Sequence, residues 1–246
     1  MSNEMVAIDL TQLPSTQIGS DEAFAALAKG GDWLRYIKLC SNDKYSKAGK
    51  IPTGHWGLPG TEESIEDLGP SIDVLPLARR PKALDMSDKT AIVTSYDEQS
   101  DTFKEIAARS MESSSNCQHG ISFLMFERST GQFYEIFFGN KSSRPEAKNV
   151  YPYLPLSQAD IDRMSAAGAD VTDLTPHGPR PVTLKTKLAK NNKGMWHVPV
   201  AIKCSTPFTK VPSTATIVAE ITKFLAPKTG GVEKVKEPEG RKTRAR

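Results

Sequence analysis

Two stretches of this chain are written as hairpins, and they constrain its fold more than any other feature. Residues 121–127 and 132–139 flank Arg128-Ser129-Thr130-Gly131, a short turn containing glycine. Residues 182–189 and 195–204 flank Lys190-Asn191-Asn192-Lys193-Gly194, which reads as a five-residue turn. Around them, residues 33–40 alternate in polarity and residues 90–96 are rich in β-branched side chains. Residues 72–78 form an apolar run that Arg79-Arg80-Pro81 brings to an end. All three read as strands. Seventeen glycines and seventeen prolines supply the turns that many short strands need.

Helices are fewer and better marked at their ends. Ser20 caps a short helix over 21–29, stopped by Gly30-Gly31, and Ser100 caps one over 101–109 with Phe103 and Ile106 on one stripe. Ser157 opens a helix reaching about residue 167, with Asp160 at the capping-box position and Gly168 as its stop. A closing helix over about 214–226 has Ser213 as cap, a stripe of Ile217, Ile221, Phe224 and Leu225, and Pro227 as its end. No strand–helix unit of regular length recurs, which argues against a doubly wound parallel sheet. The expected fold is a β-rich α+β protein: a small Greek-key barrel with helical insertions and a C-terminal helix. Residues 1–31 are expected to be an arm, 32–226 a single domain and 227–246 a disordered basic tail.

Net charge is only +3, yet the charges are segregated. Residues 1–173 hold 17 bases and 25 acids, whereas residues 174–219 hold seven bases and no acid. A one-signed stretch inside an acidic chain is expected where one surface meets a polyanion; a solvated hairpin face is the plain alternative.

Parity along the basic hairpin sorts its side chains, because successive residues of a strand face opposite ways. Val182, Leu184, Thr186 and Leu188 form one row, and Trp196, Val198, Val200, Ile202 and Cys204 form another. Turning both apolar rows inward places Trp196 in the core. The exposed face then carries Lys185, Lys187, His197 and Lys203, with Lys190 and Lys193 at the tip. Such lysines neutralise phosphates with little sequence readout, or they protect a soluble edge hairpin from aggregation. The other reading of Trp196 is a platform on which bases stack. The aromatic hairpin has Phe133 and Phe137 on one face and Tyr134, Ile136 and Phe138 on the other. It reads as central, with an exposed stacking row as its alternative. Lys141 and Arg144 follow it as a basic rim. Arg79, Arg80 and Lys82 form a third basic cluster, expected at a barrel rim.

Other chemistry has little support. Cys117-x-His119 is the one close pair of metal-ligand type, and a zinc site needs more. There is no phosphate-binding glycine loop of either common pattern. Gly54-His55-Trp56-Gly57 reads as a turn or strand edge, and Glu62, Glu63, Glu66 and Asp67 as a polar loop. No catalytic residue, metal or cofactor is expected. Cys40, Cys117 and Cys204 are odd in number and widely spaced, which points to reduced thiols in a cytoplasm, the host's for a viral protein. The first ten residues have no secretory pattern, and no apolar run reaches the ~18–20 residues that span a bilayer, so no membrane partner is expected.

The segment VTLKTKLAKNNKGMWHVPV resembles the end of the barrel in single-stranded DNA-binding proteins of tailed phages, where Val-Thr-Leu-Lys, a basic turn, Lys-Gly and an aromatic close the barrel. The resemblance covers residues 180–204 and, in outline, 32–140. It implies an OB-type barrel that coats displaced strands in replication or recombination, without catalysis, through Lys185, Lys187, Lys193 and Trp196. RNA is not excluded as the strand, and homo-oligomers and replication or recombination proteins are the implied protein partners. Many such proteins end in an acidic tail. This chain ends in Arg241-Lys242-Thr243-Arg244-Ala245-Arg246, which favours nucleic acid or an acidic partner. The competing expectation is a viral structural or assembly protein whose β-rich core is a scaffold.

Overall fold

The computed structural model describes residues 35–60, 64–88, 91–112, 115–192, 194–226 and 232–234. The helix expected over 21–29, together with Trp33 and Lys193, lies outside them. The protein is a sheet-rich α+β fold built on one mixed sheet of ten strands. The strands are β1 (Tyr36–Leu39), β2 (Trp56–Pro59), β3 (Ile65–Gly69), β4 (Ser71–Asp85), β5 (Ala91–Ser95), β6 (Cys117–Glu127), β7 (Gln132–Phe138), β8 (Val182–Asn191), β9 (Gly194–Lys203) and β10 (Val232–Lys234). The order is β10-β5-β4-β6-β7-β1-β2-β3, with the β8–β9 hairpin branching from β4. All pairs are antiparallel except β1 with β7.

The spine is β4, 15 residues long. One edge pairs with β6 along most of its length, while the other pairs with β8 over Ser71–Val74 and with β5 over Ala83–Asp85. The strand therefore does not end at Arg79-Arg80-Pro81. Two prolines are accommodated within it because Pro76 flanks a bulge and Pro81 faces a stretch with no ladder partner on one edge. The acidic loop expected around Glu66 and Asp67 is instead part of β3, whose exposed carboxylates lie on a sheet edge. Val232–Lys234, in the stretch read as disordered, pairs with β5.

The ladder does not close, so the expected Greek-key barrel is not formed among the described residues: its path ends at β10 and at β3. The sheet curls far enough, however, for the β8–β9 hairpin to reach the β1–β2 connection. There, Thr186 Oγ1 donates to the Gly54 carbonyl at 2.9 Å, the His197 main-chain N–H donates to Ser41 Oγ at 2.8 Å, and Asn42 Nδ2 donates to the Met195 carbonyl at 3.0 Å. Three side-chain bonds stand where a barrel would have a ladder.

The curl encloses one core and leaves its outer face for another. Inside are Ile37, Trp56, Ile72, Val74, Phe123, Met125, Tyr134, Ile136, Phe138, Val182 and Leu184, closed at one end by Ala147, Val150 and Leu154 from two 3-10 turns. Outside, Leu75, Leu77, Leu124 and Phe126 are covered by Ile217, Ile221, Phe224 and Leu225. Among the described residues the α-helices are α1 (Lys44–Lys47), α2 (Asp101–Arg109), α3 (Gln158–Ala166) and α4 (Thr214–Leu225). The last three start at the expected caps Ser100, Ser157 and Ser213, and α3 has the expected capping box with Asp160. The stripe expected on α4 is the buried one, each large side chain contributing roughly 1.5–3 kcal/mol. None of these helices is long and apolar enough to cross a membrane.

Candidate nucleic-acid interface

The β8–β9 register decides what the basic hairpin presents. Asn191 pairs with Gly194, so the two strands stay paired beyond the ends of the five-residue turn expected. Residues directly opposite share a face, and a slip of one residue exchanges the faces. Leu184 is opposite Ala201 and Thr186 opposite Pro199, whereas Lys185 is opposite Val200, Lys187 opposite Val198 and Ala189 opposite Trp196. The row carrying Ala201, Pro199 and His197 therefore turns inward, and Ala201 packs on the inner core. Trp196 belongs to the row of Lys185 and Lys187. The core placement expected for Trp196 is thus corrected: its ring is half-buried on the lysine side.

His197, expected among the exposed bases, moves the opposite way. It is half-buried, with its imidazole against Gly54, where a β-carbon would lie 2.7 Å from the ring. Gly54 also has φ +91°. Lys185, Lys190 and Lys203 are exposed, and none of them has an ion-pair partner among the described residues. Lys187 is exposed as well and reaches Glu146 at 2.7 Å. An exposed pair of this kind is worth at most about 1 kcal/mol, so a phosphate can displace the carboxylate.

The basic cluster at 79–82 divides. Arg79 is exposed, its guanidinium 4.2 Å from the Tyr151 ring centre. Arg80 is 3% exposed. It donates to the Phe224 carbonyl at the end of α4 and to Glu135 Oε2 at 3.2 Å, and lies between the Tyr96 and Phe224 rings. The expectation that Arg80 meets nucleic acid is therefore corrected, since a phosphate cannot reach it. Lys82 binds the same carboxylate at 2.5 Å, and Ser122 Oγ donates to it at 2.6 Å. Burial alone would raise the pKa of Glu135, but Lys82 and Arg80 bring it down to about 2.

Of the rim residues, Lys141 donates to the Met111 and Glu112 carbonyls. Arg144 is half-buried, with Nε and Nη2 out of solvent and without a partner among the described residues. Burial lowers its pKa. Cys117 is buried against α2, and His119 Nδ1 is bonded to Ser110 Oγ at 2.5 Å. All three cysteines are free, and burial, then Asp43, pushes the Cys40 thiol up to about 12.

Two clefts flank the hairpin. One of about 670 Å³ runs along β1 and β7 past Tyr36, Lys82, Tyr96 and Phe137. The other, of about 460 Å³, lies between residues 41–42, residues 140–142 and the start of β9. They share Ser41, Asn140, Ser142 and His197, so the two clefts adjoin and their linings together extend from Lys82 to Trp196. In the smaller cleft's wall, Trp196 Nε1 and His197 Nδ1 are buried without partners among the described residues. Each unmade bond of this kind costs roughly 1–3 kcal/mol. Sequence reasoning missed Tyr36, Ser41, Asn42 and Ser142, which meet the hairpin only through the curl of the sheet. The Asn-Asp pair at 42–43 was the one signal, and Asn42 does take a left-handed φ of 58°. No protein-family model, curated protein or solved structure matches the chain.

Proposed function

We propose that this protein binds single-stranded nucleic acid, DNA in the first instance, without catalysing a reaction on it. The observation that carries this reading is the register of the hairpin, which gives Trp196 and the lysines Lys185 and Lys187 a common face. A strand needs both: cations along its phosphates and an aromatic surface for its bases. The clefts support the reading, because the adjoining linings that include Trp196 also include Tyr36, Tyr96 and Phe137. The barrel of the OB type implied by the phage single-strand binders is proposed here only as a distant relation of this open, curled sheet. In the phage setting such a protein would coat displaced strands during replication or recombination.

The test is a titration with oligo-dT of about thirty bases, a length covering several site sizes of ~4–16 nucleotides. Saturable binding that weakens steeply with salt is expected. Replacing Lys185 and Lys187 together by Glu lowers affinity at least ten-fold and reduces the salt slope by about 2, one unit for each phosphate no longer neutralised. Unchanged affinity in that variant overturns the proposed face. Leu188 and Met195, 57% and 56% exposed, favour a second reading, a viral assembly protein whose hairpin meets another subunit. That reading takes over if nothing binds at low salt and the protein runs as a large, salt-resistant particle.

A further inference from the structure

We infer that the 460 Å³ cleft at the start of β9 is a pocket for one unstacked nucleobase of the bound strand. This rests on the single-strand reading and gives it a seat. Ser41, Asn42, Lys141, Ser142, Trp196 and His197 line the cleft, so an indole-bearing and an imidazole-bearing residue stand among polar neighbours around a space large enough for a nucleotide. A base is flat, aromatic and edged with donors and acceptors. It supplies a face for the indole and an edge for polar groups that a backbone phosphate cannot supply.

Three observations point to such a ligand independently of the charge pattern. Trp196 Nε1 and His197 Nδ1 are both buried and unpartnered among the described residues, on neighbouring positions of one strand. Adjacent residues face opposite ways, yet both residues line the same cleft, which lies along the start of β9 from Gly194 to His197. Asn42 holds a left-handed backbone, and its amide is spent fixing the Met195 carbonyl. Strain of that kind at a cleft wall is kept where it positions something.

Two strands of equal length, oligo-dT and an abasic oligomer carrying the same phosphates, separate this inference from the reading it rests on. The protein's fluorescence and affinity are measured with each, and free dTMP serves as a third ligand. The expected result is that the abasic strand binds about ten-fold more weakly, the size of one missing base stack. Quenching by oligo-dT should be lost in Trp196→Phe, which keeps a ring at the position. Trp33 is replaced by Phe in every protein compared, and Trp56, 1% exposed, supplies a constant background. Equal affinity for the two strands, or quenching that survives in Trp196→Phe, overturns the pocket and leaves single-strand binding intact. Binding of neither strand overturns both. Free dTMP binding as tightly as oligo-dT would make the occupant a free nucleotide and overturn its assignment to a strand.

Discussion

Glu135 is the one carboxylate that Arg80, Lys82 and Ser122 share. Removing its charge leaves a buried guanidinium without a counter-ion, so Glu135→Gln is expected to cost about 3–5 kcal/mol in urea unfolding at neutral pH. The pH dependence has a definite sign. The folded pKa is about 2, below the ~4.3 of an unfolded glutamate. Its stabilisation is therefore fully present above pH ~4.3 and is lost as pH falls toward 2. The stability gap between wild type and Glu135→Gln should narrow over that interval and stay constant above pH ~5. Equal stability of the two proteins at neutral pH would show that the cluster is dispensable. None of this was legible in the sequence, where Arg80 looked like one more surface base. Only the pairing of β4 with β6, and of β6 with β7, places residues 80, 122 and 135 side by side.

At the scale of elements, caps and stripes were readable because they are local. Ser100, Ser157 and Ser213 each accept from a main-chain N–H of the first helical turn, as their spacing implied. The register of the basic hairpin was not readable. Turning two apolar rows inward across a five-residue turn gives a register one residue away from the actual one, and that difference sets which side Trp196 takes. Interactions far away in sequence settle it: Thr183 Oγ1 donates to Asp73 at 2.6 Å, and the His197 ring sits on Gly54. Gly54→Ala is therefore expected to be costly twice over, through its φ of +91° and through collision with the imidazole. A loss of roughly 1–3 kcal/mol follows from the strain. Ser41→Ala, which strips the His197 N–H of its acceptor, should cost about 1 kcal/mol. In both variants, hydrogen exchange should speed up first at the amides of 186–199 and leave β4 and β6 protected. Uniform acceleration across the sheet would mean that hairpin and body open together.

For the whole molecule, the β-rich α+β class and the closing helix were legible from turn residues and stripes. The closed barrel was not, because closure depends on how far a sheet curls. Two strands short of strong β signals, β2 and β3, extend the sheet on the β1 side. The groove follows from the same curl, which brings residues 41–42 against residues 194–197. Among the described residues, the hairpin that crosses this gap is fastened to the body by four rungs with β4, the Thr183–Asp73 bond, the Lys187–Glu146 ion pair and three side-chain bonds to the β1–β2 connection. An arm held this way is the kind of piece that two copies trade when they entangle. A dimer made by such an exchange would keep both grooves, since each arm would close on the other copy's Ser41 and Gly54. On the proposed single-strand reading, crowding of this protein along a strand would then link neighbours without covering what they hold.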